Sequence, residues 1–506
     1  MTISETEVTP ISPSKTTSSR ERARRRWVTV EPVVSLTVVG YITIGLLRPF
    51  YLKSRLGELM FNITEQEEIA KCQANKSDGG VTEDEIQSEA SLWLLYLSAA
   101  TNIPVVVSSI VIGTLSDRLG RKLSLVMAII GYICQEIVYI LTVYYKLPLP
   151  VLLVGDFLQG VGGGFMTLFA GCISYISDIT LEKQRTIRIA VVEMMMFFMG
   201  GVVQVGAGYL LSAFGPIPPL AVALGLNVLC LMYVAIPGIL IETVDRNTIP
   251  EHRKGFKDAG MSVVKLLKFN ENGRRWQMLL LNFFIFFVML NVNGVMTIFI
   301  LYGTAEPFCW SAVTAGLAGA FGFITGSIGM VAGTKLFSFC LGEYWIMQIS
   351  CLSLLAFNVV MSVSNTTLLV FIANAVGALR GMGVPIARSV LSTIVDPSEI
   401  GAAFSIVACI DNLSSFTSSL MIPSIYATTV SFMPQVIFYV LSGLSIIPSG
   451  IILILQIHWP RRKDYKALED SGIYEDGPRE EDLKEKAATT YMSIPKTVQI
   501  KESTDF

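Results

Sequence analysis

The sequence predicts an all-α integral membrane protein that crosses the bilayer twelve times, as two pseudo-symmetric six-helix bundles. Three observations predict it. The 506 residues are 52% hydrophobic and only 15% charged, whereas a water-soluble domain carries about 25% charged residues. So little charge means that most of the surface does not face water. About twelve apolar runs each approach the roughly 20 residues that a helix needs to cross the hydrocarbon core. The longest polar break between them, Glu242–Trp276, divides the runs six and six.

Residues 1–26 form a Ser/Thr-rich arm that ends in Arg20, Arg22, Arg24, Arg25 and Arg26. No small-residue cleavage site closes the apolar run that follows, so it reads as a signal anchor that stays in the membrane. Residues 27–241 form the first bundle, with spans at Glu31–Tyr51, Ser91–Leu115, Ser124–Val143, Leu149–Ile176, Ile189–Phe214 and Pro219–Ile241. Its first loop, residues 53–90, is long. Residues 242–276 are the linker. Residues 277–457 form the second bundle, with spans at Met278–Leu301, Ala312–Phe337, Trp345–Val363, Leu368–Leu391, Ala402–Ile425 and Pro434–Ile457. Residues 458–506 are polar and poor in aliphatics, the composition of a disordered tail.

Loop charge sets the orientation. Arg118, Arg121, Lys122, Lys183, Arg185 and Arg188 follow even-numbered spans, and the linker and the start of the tail are also basic. Ser212–Pro218, Gly303–Ser311, Ser364–Thr367 and Tyr426–Met433 are nearly free of Lys and Arg. The basic side is cytosolic, which puts both termini in the cytosol and the loop at 53–90 outside.

Composition also excludes. No basic stripe points to nucleic acid. No Walker loop, zinc-ligand spacing or nucleophile elbow is present, so neither an enzyme nor a metal or other cofactor is expected, and any work must draw on gradients. Both histidines, His252 and His458, fall in polar segments, so proton transfer inside the membrane falls to carboxylates. Ionisable groups that stand out within the apolar runs include Glu136, Asp156, Glu193, Arg380, Arg388 and Asp411. Each costs about 2.5–3.5 kcal/mol on insertion scales, and such residues usually serve function. Arg380 and Arg388 lie two turns apart on one predicted helix and could share a cavity wall for an anion. Equally, Arg380 could neutralise Asp156 or Asp411.

The strongest local motif is Gly113-Thr-Leu-Ser-Asp117-Arg118-Leu-Gly120-Arg121-Lys122, on the turn between the second and third spans. Its glycines permit a tight turn, Asp117 suits a helix N-terminus, and Arg121 can pair with a carboxylate across the gap. The spacing resembles the signature of the major facilitator superfamily, where it latches the two halves on the cytosolic side. A closer resemblance rests on Val30-Glu31-Pro32, Arg185-Thr-Ile-Arg188-Ile-Ala-Val-Val-Glu193, Leu301-Tyr302 with Pro307-Phe-Cys309-Trp310, and Ser405-Ile-Val-Ala-Cys409 shortly after Arg388-Ser-Val-Leu-Ser392. Together these are similar to the proton-coupled folate transporter family, with its lysosomal and thymic-stromal relatives.

That resemblance implies a major facilitator fold and proton-coupled symport of an organic anion. Glu193 matches the family's coupling carboxylate, with Asp411 and Glu136 as further proton-coupling candidates. Arg388 matches an arginine tied to proton and substrate binding, and Arg380, Asp156, Asn291 and Asn293 join it as substrate-binding candidates. It implies a disulfide between Cys72 and Cys309, and glycosylation is expected at the sequons of Asn62 and Asn75. Two positions depart from the folate member: Val292 replaces a histidine and Gly164 an aspartate, so the substrate can be folate-like, muropeptide-like or cyclic-dinucleotide-like. In the tail, Tyr465 and Tyr491 begin sorting-type motifs for adaptors, and the terminal Thr504-Asp-Phe506 could enter a PDZ groove. The expected location is the plasma or lysosomal membrane. A pH-independent facilitator or exchanger on the same fold, or a receptor or scaffold that has lost transport, are the alternative readings.

Overall fold

The computed structural model describes residues 29–62, 80–180, 182–236, 240–242, 273–395 and 400–458. The elements it describes are α-helices and one 3-10 turn. Among them, twelve segments are long and apolar enough to cross a membrane, which are numbered here as spans one to twelve. The arm, most of the linker, the tail with Tyr465 and Tyr491, Cys72 and Asn75 lie outside the described residues, as do the side chains of Asp117 and Arg118.

The first helix runs over Glu31–Phe61, about 46 Å at 1.5 Å per residue and well beyond the hydrocarbon thickness. The second begins at Gly80. Residues expected in the long first loop are therefore helical at both ends. The cause is side-chain burial: Leu52, Leu56 and Ile86 are all buried, and Lys53 pairs with Glu83 at 2.7 Å. Asn62 closes the first helix in a left-handed conformation, with φ 55°. The linker is shorter than expected as well, because Arg274–Trp276 already belong to the seventh span.

Two spans are broken. The fourth consists of Val151–Val161 and Gly164–Ile179. At the break Gly163 and Gly164 have φ values of 99° and 70°, a region that glycine enters without a Cβ penalty. A Cβ on Gly162 would lie 2.8 Å from the carbonyl oxygen of Met127, so the third and fourth spans meet backbone to backbone. The tenth span consists of Thr367–Val376, the 3-10 turn Gly377–Gly381 and Gly383–Ile394. Arg380 sits on that turn and Arg388 on the helix beyond it. The expected continuous helix carrying both arginines is thus interrupted.

The halves meet mainly at one end. A buried cluster there combines Leu52, Ile86 and Leu94 from the first half with Ile298, Tyr302 and Phe438 from the second. Polar bonds reinforce it: Lys53 donates to the Thr304 carbonyl at 2.9 Å, Ser88 to Ala427 at 2.9 Å and Ser91 to Pro423 at 2.7 Å. Toward the Gly120 end the second cluster gathers first-half residues such as Val33, Leu125, Tyr175 and Leu240, with Phe323 packed against it. The first cluster thus closes the end that carries Asn62 and Cys309.

The fifth and eighth spans form the tightest seam between halves. A Cβ on Gly208 would lie 2.6 Å from the Ala312 carbonyl oxygen, and one on Gly316 would lie 2.5 Å from that of Gln204. Neither obstacle is a side chain that can turn away. Gly316→Val should therefore destabilise the protein by about 1–3 kcal/mol through overpacking. Gly206→Val, where a Cβ meets nothing within 4 Å, should leave the melting temperature in mild detergent unchanged. Equal melting of the two variants would remove the seam from the account.

Candidate functional site

Two of the ionisable residues expected to matter pair directly, and a third, on the other half, lies within range of their charge. Arg388, on the inner part of the tenth span, donates from Nη2 to Asp411 Oδ2 of the eleventh at 2.6 Å. Their side chains are 26% and 17% exposed, so the pair borders open space rather than lying sealed. Glu193, on the fifth span of the first half, is near enough for its charge to interact with that of Arg388. Asp411 keeps its second oxygen, Oδ1, buried with no hydrogen-bond partner among the described residues. Glu193 thus feels the charge of the arginine that Asp411 bonds.

Asp156 belongs elsewhere. It is fully buried and bonded to Arg48 of the first span, which corrects the expected pairing with Arg380. Gln135 also donates to it. Tyr139 donates to Oδ2 at 2.9 Å and Thr101 to Oδ1 at 3.3 Å. Arg48 in turn donates from Nε to the Tyr139 hydroxyl at 2.7 Å. Sequence reasoning passed over Arg48, which lies three residues from the end of the first apolar run. The signal was available, since a lone cation and a lone anion buried in the same membrane half have good reason to meet.

Of the two readings of Arg380, neutralising Asp156 or Asp411 is not what is seen: those carboxylates pair with Arg48 and Arg388. Its guanidinium lies 4.2 Å from the Phe357 ring centroid, donates to the Gly377 carbonyl at 3.4 Å and approaches Asn374 Oδ1 at 3.5 Å. No carboxylate pairs with it among the described residues. A cation–π contact offsets part of its desolvation but leaves its charge uncompensated.

The other candidates are packed apart from these arginines. Asn291 donates to the Leu441 carbonyl at 2.8 Å and to Ser445 at 3.0 Å, and accepts from Asn358 at 3.0 Å. That knot ties the seventh, ninth and twelfth spans together. Asn293 is half-buried on the seventh span. Glu136 is buried against the sixth span, where Asn227 donates to Oε1 at 2.7 Å. Its Oε2 has no partner among the described residues.

The turn after the second span is built around glycine and a carboxylate. Gly120 has φ 126°. A Cβ there would collide with the Glu242 carboxylate. That carboxylate accepts the backbone N–H of Arg121 at 2.8 Å and that of Lys122 at 3.3 Å. It caps the N-terminus of the third span, where orphan N–H groups and the helix dipole favour an anion. Glu242 thus fills the role expected of Asp117. Arg121 pairs with Asp178 of the fourth span, in the same half, at 3.1 Å. Gly113, one turn earlier, packs against nothing that a Cβ would disturb. Beside this turn, Arg188 pairs with Glu31 at 3.1 Å, joining two residues that the sequence had singled out separately.

Comparison with known proteins now decides the family. The Major Facilitator Superfamily pattern matches residues 33–357. The chain belongs to that superfamily. This major facilitator transporter is 29% identical over 437 residues to the lysosomal proton-coupled steroid conjugate and bile acid symporter SLC46A3 of Gallus gallus, covering 85% of this chain and 94% of that protein. It is 29% identical over 442 residues to the proton-coupled folate transporter of Rattus norvegicus, covering 84% and 92%. Among solved structures, the human organic anion transporter MFSD10 superposes with a TM-score of 0.60 at 14% identity, over 87% of this chain and all of the other. A D-xylose-proton symporter does so with a TM-score of 0.57 at 14% identity, over 84% and 96%. These two likenesses concern the fold. Relatives and neighbours alike are transporters, not enzymes.

The Arg48–Asp156 bond carries its own prediction. Arg48→Leu should strip Asp156 of its cation inside the membrane and cost about 3–5 kcal/mol, because a buried charge is left uncompensated. The double variant Arg48→Leu with Asp156→Leu should recover most of that loss. Thermal aggregation of the purified variants reads the comparison. A double variant no more stable than the single one would show that the pair is not held by charge.

Proposed function

We propose that this transporter is a secondary active symporter that moves an organic anion together with protons. The observation that carries the reading is the Arg388–Asp411 ion pair, with Glu193 of the other half within electrostatic range of Arg388. Two carboxylates and one guanidinium leave one net negative charge in a region where isolated charge is costly. One proton neutralises the group. When a substrate anion takes Arg388, both carboxylates lose their cation and each needs a proton. Electroneutrality therefore loads anion and proton together. Arg380, with no acidic partner among the described residues, supplies further positive charge on the same span, and Asn293 supplies a neutral polar group. Glu136 has one unpartnered oxygen and is the reserve proton site. Steroid conjugates, bile acids and folates, named for the relatives, are ring-bearing organic substances whose common forms are anionic, which suits this site.

The same proposal covers the domain plan and setting. The two bundles take residues 27–241 and 277–457, flanked by a cytosolic arm at 1–26, a linker at 242–276 and a cytosolic tail at 458–506. Loop charge supports cytosolic termini; the setting is the lysosomal membrane, as the first relative's name suggests, or the plasma membrane. The outer loop carries glycans at Asn62 and Asn75, and a disulfide joins Cys72 to Cys309. In support, Cys309 is sulfur-bonded rather than a free thiol, while the six other cysteines of the described residues are free.

Glu193→Gln should abolish proton-driven accumulation in proteoliposomes while preserving exchange of labelled for unlabelled substrate. Accumulation surviving at parental level against a gradient would move coupling to Asp411 or Glu136. Arg388→Gln should raise the KM for a dianion at least about tenfold, or about 1.4 kcal/mol, with much less effect on a neutral analogue. For the disulfide, non-reducing peptide maps should show Cys72 and Cys309 in one linked fragment, and two alkylated thiols would refute it.

A further inference from the structure

The first span carries an exposed stripe whose open face plays no part in the site described above. Tyr41 and Gly45 are exposed and Arg48 is partly so, while Ile42, Thr43, Ile44, Leu46, Leu47 and Pro49 are buried. The spacing i, i+4, i+7 puts the three on one face of the helix. This helix packs against the second, third, fourth, fifth and sixth spans of its own half and touches the seventh and eighth of the other. A helix enclosed in this way leaves its stripe facing the interior between the halves rather than lipid.

Each member of the stripe is built for contact. The Tyr41 ring stacks on Phe165 with centroids 4.9 Å apart and planes 15° apart, yet Tyr41 remains 38% exposed. One aromatic face is therefore fixed from behind and open in front. Phe165 stands just after the Gly163–Gly164 break, which sets its place. A Cβ on Gly45 would meet nothing within 4 Å, so space lies open above the helix there. Arg48 is pinned along one edge, through Nε to Tyr139 and Nη2 to Asp156. Its Nη1 donates to nothing among the described residues, and the side chain is 17% exposed. Asp156 neutralises its charge, so the free edge offers hydrogen-bond donors rather than net positive potential.

We infer that Tyr41, Gly45 and Arg48 form a substrate subsite on the first half, for a flat ring system that ends in an oxygen acceptor. The ring lies across Gly45 against the Tyr41–Phe165 stack, and the acceptor meets Arg48 about 10 Å along the helix, seven residues at 1.5 Å each. The inference rests on the organic-anion reading above. It narrows the class to elongated, ring-bearing anions whose charged end lies at Arg388.

The test uses full-length protein in lipid nanodiscs, with Gly45→Cys added after the exposed Cys340 and Cys409 are changed to Ser. A charged methanethiosulfonate reagent should modify the new thiol, because the stripe lines a water-filled space. Estrone sulfate, a flat-ring anion, should slow modification at least tenfold, and octyl sulfate, with the same head group and no ring, less than twofold. A second variant, Tyr41→Leu, should abolish the protection by estrone sulfate while leaving the thiol reactive. An unreactive thiol would put the stripe in lipid and overturn the subsite. Equal protection by both sulfates, or by neither, would overturn its ring preference. Each of these results leaves proton-driven uptake and its loss in Glu193→Gln untouched, so the subsite can fail without the coupling reading.

Discussion

Inside a bilayer no water is present to solvate a charge or an open peptide group. That constraint explains why the described elements are helical, and why each membrane-embedded ion must find a partner on another span. It is met in two different ways. Asp156 is surrounded by donors from Arg48, Gln135, Tyr139 and Thr101 and is fully buried. Asp411 has one cation, a second oxygen without a partner, and an edge toward open space. The first arrangement is saturated and so resists exchange. The second leaves capacity for a proton or for a competing anion at Arg388. Saturation marks structure, and incomplete satisfaction beside a cavity marks the place where ligands act.

Glycine sets the geometry in which those ions meet. Gly208 and Gly316 let the fifth and eighth spans touch backbone to backbone, which brings the Glu193-bearing helix against the second half. Gly163 and Gly164 turn the fourth span in a conformation closed to ordinary side chains at low strain. Gly164 stands where the folate member has an aspartate. At φ 70° an aspartate would be strained here, so this chain cannot restore that feature by a simple side-chain change.

The sequence made the fold legible because membrane burial writes itself in composition. Twelve long apolar runs and alternating loop charge need no tertiary information to be read. Glu193, Arg388 and Asp411 were legible for a related reason: an ionisable residue in an apolar run stands out. Their grouping was less visible, since it relates residues of three separate spans that only the folded bundle places. Arg48 was missed, and Asp156 was assigned the wrong partner, because one-dimensional reading gives depth in the membrane but not azimuth around the bundle. The break that separates Arg380 from Arg388 escaped for another reason. Glycine at Gly377, Gly381 and Gly383 can mark close packing or a turn, and here Phe357 lies where a Cβ of Gly377 would go. Glu242 was read as the first residue of a linker. Its capping role depends on the positive φ of Gly120, which leaves space for a carboxylate over the next helix.

On the proposed reading, the division of the three charges between the halves is itself the coupling device. Arg388 and Asp411 both belong to the second half and travel together when the halves rock. Glu193 belongs to the first. The attraction between Glu193 and Arg388 therefore reports on the separation of the halves, while the Arg388–Asp411 bond does not. A proton on Glu193 removes the attraction across the gap and leaves the internal pair standing. An anion on Arg388 weakens both. Proton and substrate thus act on the same interface through one guanidinium, and each biases the equilibrium only through its different interaction with the two arrangements. With one histidine in the linker and the other at the last residue of the twelfth span, the carboxylates carry this exchange.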